Sequence, residues 1–388
     1  MLRFLTAGES HGPALVAIVE GIPSGLTLDI KAINKDLERR QMGFGRGGRM
    51  KIESDKIEIV SGVRHGQTLG SPIALKVDNK DWENWQERMS IEKGPEPGPV
   101  ITAPRPGHAD LVGILKTDQK DIRNILERAS ARETAARVAV GAIAKQLLKE
   151  LGIDVVSHVI QIGSIVSDSG TPPKPEDLSK VDKSPVRCFN DEATEAMVDE
   201  IKEAMEKKDT VGGIFEVLVY GVFPGIGGFA QWDERLNANL ARALMSIPAI
   251  KGVDVGLGMK SAGLLGSKTH DEISYSKERG YFRETNRAGG IEGGMSNGET
   301  IVLKAAMKPI PTLGAPLNSV DIKTKKPVLA GRERSDICAV PSAAVIGEAM
   351  VAIEIVKAVQ KKFGADSIDE LKQRCRDYTI KIKGEIEG

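Results

Sequence analysis

Gly21-Ile22-Pro23-Ser24-Gly25-Leu26 and Gly221-Val222-Phe223-Pro224-Gly225-Ile226 are the two stretches that decide the fold. Each is a Gly/Pro turn set between a run of small and β-branched residues and an amphipathic helical pattern. Ala14–Glu20 precedes the first turn and reads as a strand, as Ile214–Val222 does at the second. Beyond the first turn, Asp29 is placed to N-cap a helix to Arg40 with Ile30, Ile33 and Leu37 on one face. Beyond the second, Asp233–Ser246 repeats that helix, and strands at Ile57–Val60 and Val253–Leu257 follow in turn. The echo falls at about half the chain length. It predicts an internal duplication, with approximate halves 1–165 and 210–388 sharing one core as a single domain over 1–388.

Around this frame the patterns add strands at Ile73–Val77 and Asp154–Ile162 and helices at Glu192–Lys207 and Ala343–Phe363, the last one closing the chain. The strongest helical pattern runs from about Asp121 to Leu151, with a stripe that includes Ile122, Leu126, Ala129, Val140, Ile143 and Leu147. Ser167–Pro185 reads as a surface loop. Long Gly-, Pro- and Arg-rich connections cover Gln41–Met50, Asp78–His108 and Met259–Gly298, with an irregular run from Lys308 to Pro341. Long connections in a compact domain often carry function, so the chemistry is expected there.

Composition narrows the function. The chain has 388 residues, 40% hydrophobic and 28% charged, and its 54 basic residues balance 54 acidic ones. Without a bulk positive field, nucleic acid and anionic membrane are not the expected partners, and an anion site must come from local clustering of arginines. Cys188, Cys338 and Cys375 are odd in number and lack CxxC spacing. They are expected to be free thiols in a cytoplasmic protein, with no disulfide framework and no metal site. The first residues lack the apolar core of a signal peptide, and no apolar run reaches the roughly 18–20 residues that span a bilayer.

Six segments concentrate unusual residues. Gly8-Glu9-Ser10-His11-Gly12-Pro13 offers a histidine between glycines, suited to proton movement close to a ligand, or simply an ordinary turn. Arg39-Arg40-Gln41-Met42-Gly43-Phe44-Gly45-Arg46-Gly47-Gly48-Arg49 puts four arginines in eleven residues, suited to phosphate and carboxylates. A solvated basic turn and an RGG-type RNA-binding segment are its rival readings. A dinucleotide fingerprint fails there, because these glycines follow a helix and not a strand. Pro104-Arg105-Pro106-Gly107-His108-Ala109-Asp110 presents a second histidine from a stiff loop. Arg128-Ala129-Ser130-Ala131-Arg132-Glu133-Thr134 interrupts the long helical stripe with polar residues. In a continuous helix Arg128 and Arg132 share a face, to be neutralised by an anion or by Glu127 and Glu133. Lys308-Pro309-Ile310-Pro311-Thr312 is a stiff segment able to lie along a flat ligand, and Glu333-Arg334-Ser335-Asp336 is a charged loop before the last helix.

In this order, with Gln231-Trp232-Asp233 and Gly289-Gly290-Ile291-Glu292-Gly293-Gly294, these segments resemble the chorismate synthase family from the N-terminus to about Pro341. The resemblance implies an α+β fold of helices sandwiched between antiparallel sheets, internally duplicated, in a homotetramer with FMN in each subunit. It implies a 1,4-anti elimination of phosphate from 5-enolpyruvylshikimate 3-phosphate. Reduced FMN is required and not consumed, and NADPH enters as a reductant in some members. By this resemblance His11 and His108 handle protons, and Asp336, with Ser10 and Ser130 as supporting hydroxyls, serves the C6 proton. Arg40, Arg46, Arg49, Arg132 and Arg334 hold substrate anions, and Arg40 and Arg46 also match NADP positions. FMN contacts fall at Arg128, Ala129, Ser130, Pro248, Ala249, Gly293, Lys308, Pro309, Ile310, Pro311, Thr312 and Arg334. Pro248-Ala249 departs from the polar residues of many members, so a side-chain contact is lost there and a backbone contact survives.

Overall fold

The computed structural model describes residues 1–47, 54–94, 98–167, 170–331, 333 and 335–382. The chain is a mixed α+β protein with two main antiparallel sheets. The first holds β1 (Arg3–Ala7), β2 (Ala14–Glu20), β3 (Ile57–Ile59) and β4 (Ile73–Asp78) in the order β1-β2-β4-β3. The second holds β5 (Asp154–Ile162), β6 (Ile165–Val166), β7 (Gly213–Tyr220), β8 (Ile250–Val255) and β9 (Ile301–Met307) in the order β6-β5-β7-β9-β8. Leaving out the two-residue β6, both sheets read first, second, fourth, third along the chain.

The helices occupy matching places. Helix α1 (Ile30–Gln41) joins β2 to β3, capped as expected by Asp29, whose side chain accepts from Lys31 N and Ala32 N. Two short helices, α2 (Asp110–Thr117) and α3 (Arg123–Ala129), and the longer α4 (Thr134–Glu150) follow β4, and α5 (Asp191–Glu206) precedes β7. Helix α6 (Leu236–Met245) joins β7 to β8, and α7 (Val340–Phe363) follows β9. Helix α4 packs on β2 and β4, α7 packs on β5 and β7, and the two helices pack on each other. Side chains from both sheets and all four of α1, α4, α6 and α7 join one buried apolar cluster. Helix α7 is buried on nearly every side because its stripe widens to Ala343, Ala344, Val351, Ala352 and Ile355.

A charged knot runs through this core. Glu348 on α7 accepts from Arg39 Nη1 and Nη2 on α1, both at 2.8 Å, and from Lys145 Nζ on α4 at 2.9 Å. Arg187 Nη2 adds a fourth contact at 3.2 Å. Burial pushes the Glu348 carboxyl up, and the charges of Arg39 and Lys145 overrule it, leaving the group well below its ordinary value. Arg39, at the end of α1, is thereby fixed to both central helices, and its neighbour Arg40 faces the other way.

Several expectations need correction. The helix expected from Asp121 to Leu151 is broken: α3 ends at Ala129, Ser130 is extended at φ −63° and ψ 141°, and a short 3-10 turn leads into α4. Ser130 caps that turn by accepting from Arg132 N, which is why the polar interruption stops the helix. The Ala343–Phe363 pattern does not close the chain, since α8 (Ile368–Ile382) follows it. The Ser167–Pro185 stretch includes a short helix, Leu178–Lys183. Among the described residues no helix is long and apolar enough to cross a membrane. All three cysteines are free and buried, and burial pushes the Cys338 thiol up to about 12.

Candidate active site

The break at Ser130 opens the site. It lets the loop before β2 dock against the end of α3: Ser10 N donates to Glu127 O at 3.0 Å, and Ser10 Oγ donates to Ser130 Oγ at 3.1 Å. Asn79, just past β4, clips the same loop by donating to Gly12 O at 2.7 Å and Glu9 O at 3.1 Å. His11 is thereby held over a cavity of about 480 Å³. The stiff loop 104–108 meets this cavity from the side of Thr312, whose hydroxyl accepts from Arg105 Nη1 at 3.0 Å.

Each histidine rests on a carboxylate. His11 Nδ1 lies 2.9 and 3.0 Å from the two oxygens of Glu127, and its backbone N–H donates to Glu127 Oε2 at 2.8 Å. The ring also stacks on Trp85 with centroids 4.0 Å apart. His108 Nδ1 lies 2.5 Å from Asp110 Oδ1. Burial raises both carboxyls, and the bonds from the histidines, with arginine charge behind, outweigh it, so Glu127 and Asp110 both end below the ordinary carboxylate range.

The arginines form a second layer. Asp55, fully buried, bridges Arg40 Nη2 at 2.8 Å and Arg132 Nη1 at 2.6 Å. Arg132 Nε also donates to Asn79 Oδ1 at 2.9 Å. Burial, with Arg132 and Arg46 close by, lowers the Arg40 guanidinium despite Asp55, and Arg40 Nε finds no hydrogen-bond partner among the described residues. Arg46 pairs with Asp336 at 2.9 Å, and Asp336 Oδ1 accepts from Gly47 N at 2.6 Å. Lys308 Nζ donates to Gly107 O at 2.6 Å. An apolar wall of Ile247, Pro248, Ala249, Ile310, Pro311 and Ile346 faces these groups.

All six segments singled out from the sequence therefore meet in one pocket. Ser10, His11, Arg40, Arg46, His108, Ala129, Ser130, Arg132, Pro248, Ala249, Lys308, Ile310, Pro311, Thr312 and Asp336 all line it. Three do not. Arg128 turns outward to Thr6 O at 2.8 Å and Gly8 O at 3.1 Å, because the helix break ends the face it was expected to share with Arg132. Gly293 lines a separate depression with His270, Asp271 and Arg287, and Pro309 is exposed. Arg49 and Arg334 lie outside the described residues. Glu127 serves His11 and Arg123, and Glu133 serves Arg137, so the alternative in which these two carboxylates neutralise Arg128 and Arg132 does not hold. Asp55 and Arg123 join the site without a signal in the sequence, and Trp85, inside the long connection Asp78–His108, carries no motif that marks it. Asp110, two residues after His108, was visible as a neighbour but not as its anchor.

Two carboxylate-anchored histidines facing arginines across a partly apolar cavity mark an enzyme acting on a small molecule. The chorismate synthase family profile matches residues 2–360. Chorismate synthase of Desulforamulus reducens is 56% identical over 382 residues, covering 97% of this chain and 98% of that protein. That of Aquifex aeolicus is 54% identical over 391 residues, covering 98% of each. A crystal structure of chorismate synthase superposes with a TM-score of 0.80 at 43% identity, covering 99% of this chain and 98% of that one. The chain belongs to the chorismate synthase family and is a lyase.

Proposed function

We propose that this enzyme eliminates phosphate from 5-enolpyruvylshikimate 3-phosphate in a 1,4-anti sense to give chorismate, with reduced FMN present and no net redox change. The observation that carries the reading is the meeting of His11, His108, four arginines and Lys308 on one pocket with an apolar wall. The substrate bears two carboxylates and a phosphate of about −1.5 to −2 charge at neutral pH. Arg40, Arg46 and Arg132, with Arg49 and Arg334, hold these anions, each charge-assisted contact contributing about 1.5–3 kcal/mol. Asp55 keeps Arg40 and Arg132 aimed before substrate arrives, and donors arranged in advance are what stabilise a departing phosphate. One histidine gives its proton toward the leaving oxygen, and the other keeps a proton beside the cofactor. Asp336, with Ser10 and Ser130, serves the proton that leaves C6.

The pocket fits FMN: the wall from Ile247 to Ala249 and from Ile310 to Pro311 offers an apolar bed, Lys308 a cation, and the buried Arg40 Nε an unmet donor. Ala129, Ser130, Pro248, Ala249, Lys308, Ile310, Pro311 and Thr312 would hold it. Reduced FMN, when bound, supplies the electron chemistry that loosens the C–O bond without being used up. NADPH is the reductant that the resemblance allows, at Arg40 and Arg46.

In the same reading the chain is one duplicated domain with helices between its sheets, and the shared strand order of the two sheets supports this. It works as a cytoplasmic homotetramer, in keeping with its free thiols. The outer face of the first sheet carries exposed Leu5, Val16 and Ile18, with Leu5 opposite Ile18 and Ala7 opposite Val16. A second copy covers that face.

With oxidised FMN the enzyme is expected to bind substrate and form no chorismate. With reduced FMN, anaerobically, it should turn over many times without net flavin oxidation. Repeated turnover with oxidised flavin, no reductant and no light would overturn the mechanism.

A further inference from the structure

Both histidines are mounted in the same way, although they come from unrelated loops. On one side stands the series His11, Glu127, Arg123, with Arg123 Nη1 donating to Glu127 Oε1 at 2.8 Å. On the other stands His108, Asp110, Arg105, with Arg105 Nε donating to Asp110 Oδ2 at 2.8 Å and Nη2 to Oδ1 at 3.1 Å. In each series the carboxylate also receives a backbone N–H, from His11 in the first and from Arg105 at 3.0 Å in the second. Neither Nε2 makes a hydrogen bond to the protein among the described residues.

We propose that Glu127 and Asp110 are positioning residues that fix the ring tautomers of His11 and His108, so that Nδ1 keeps its hydrogen and Nε2 alone exchanges protons with the pocket. A carboxylate held by an arginine is an acceptor and not a donor, so the shared hydrogen sits on Nδ1. At His108 a rival contact exists, Arg105 Nη2 at 3.1 Å from Nδ1. It would require a bare Nδ1, but Asp110 stands closer and is ionised, and Arg105 spends its other donors on that same carboxylate. The charged groups around His11 are Glu127 and Arg123 on α3 and Asp81, which accepts from Trp85 Nε1 at 3.2 Å under the ring. Those around His108 are Asp110, Arg105 and Lys308. The proposal rests on the assignment of both histidines to the proposed reaction for its kinetic meaning, and on geometry alone for its structural content.

The experiment is nitrogen NMR of the intact protein labelled with [15N]histidine, with signals assigned by their loss in His11→Ala and His108→Ala. Above the imidazole titration both rings should show a protonated Nδ1 and a bare Nε2. Glu127→Gln and Asp110→Asn should each abolish that preference in their own ring. Each should also lower kcat by as much as about 10⁴-fold with KM little changed, the loss expected when a histidine forfeits the carboxylate that sets its tautomer. A bare Nδ1 in the unaltered protein would overturn the proposal, as would variants that keep both the ring signal and the turnover. If Glu127→Gln does not fold, Asp110→Asn and the unaltered spectrum still decide. The spectrum needs neither flavin nor substrate, so a failure of the elimination chemistry is told apart from a failure of this proposal.

Discussion

At the residue scale the site is a set of charges that hold one another in place. Asp55 carries two arginines, Glu127 and Asp110 carry one histidine each, and Asp336 carries Arg46. No carboxylate here is spare. The histidines are different, since each keeps one nitrogen for the pocket. His11→Ala and His108→Ala are therefore expected to lower kcat by roughly 10²–10⁴-fold each, the usual loss of a general acid or base, with the fold intact. Steady-state rates of chorismate formation with reduced FMN check this, and near-normal turnover in either variant removes that residue from the chemistry. A sequence exposes such residues poorly when their partner is remote: 116 positions separate His11 from Glu127. Where the partner is local, as with His108 and Asp110, the motif holds both, yet spacing alone does not say which atom meets which.

At the element scale the contact between α4 and α7 joins the helix packed on the first sheet to the helix packed on the second. A Cβ added at Gly141 on α4 would meet Ala349 Cβ on α7 at 2.2 Å and its Cα at 2.4 Å, so the helices approach as closely as backbone permits. Gly141→Ala is expected to destabilise the protein by at least the 1–3 kcal/mol typical of an overpacked core, even though alanine favours a helix. Urea unfolding measures this, and an unchanged midpoint would mean that the helices can part at little cost. The break between α3 and α4 belongs to this scale as well. The polar run Ser130 to Glu133 was legible as a flaw in a long helical stripe. Its consequence, a bend that lets the His11 loop in, depends on the docking of that loop against Glu127 and Ser130.

At the scale of the whole molecule, equal numbers of acids and bases leave no net field, and stability against pH rests on particular carboxyls. Asp55, Asp110, Glu127 and Glu348 all lie below their ordinary values, because arginine, lysine and histidine partners outweigh burial. A depressed folded-state value gives stability that is complete above the unfolded value, about 4, and is lost as pH falls through the folded one. Thermal melts should thus change little for these groups between pH 7 and about 5 and fall steeply below about 4. A melting temperature that held constant down to about pH 3 would show that the buried knots contribute nothing. The exposed face of the first sheet gives a second test. Ile18→Glu should yield a smaller species by light scattering with an unchanged circular dichroism spectrum, whereas a constant mass would place the subunit interface elsewhere.

The sequence by itself determined six of the nine strands in the two main sheets, missing β1, β6 and β9, together with the capped α1, the echo of two turns and the identity of most pocket residues. These depend on local pattern and on motifs, which survive without coordinates. The tertiary structure alone decided that six scattered segments share one cavity, that Arg128 leaves it, and that Gly293 lines another depression. It also decided that Asp55 binds Arg40 and Arg132 from 15 and 77 positions away. The physical reason is that a buried charge takes whichever opposite charge the packing brings near it, and packing joins residues without regard to their separation along the chain.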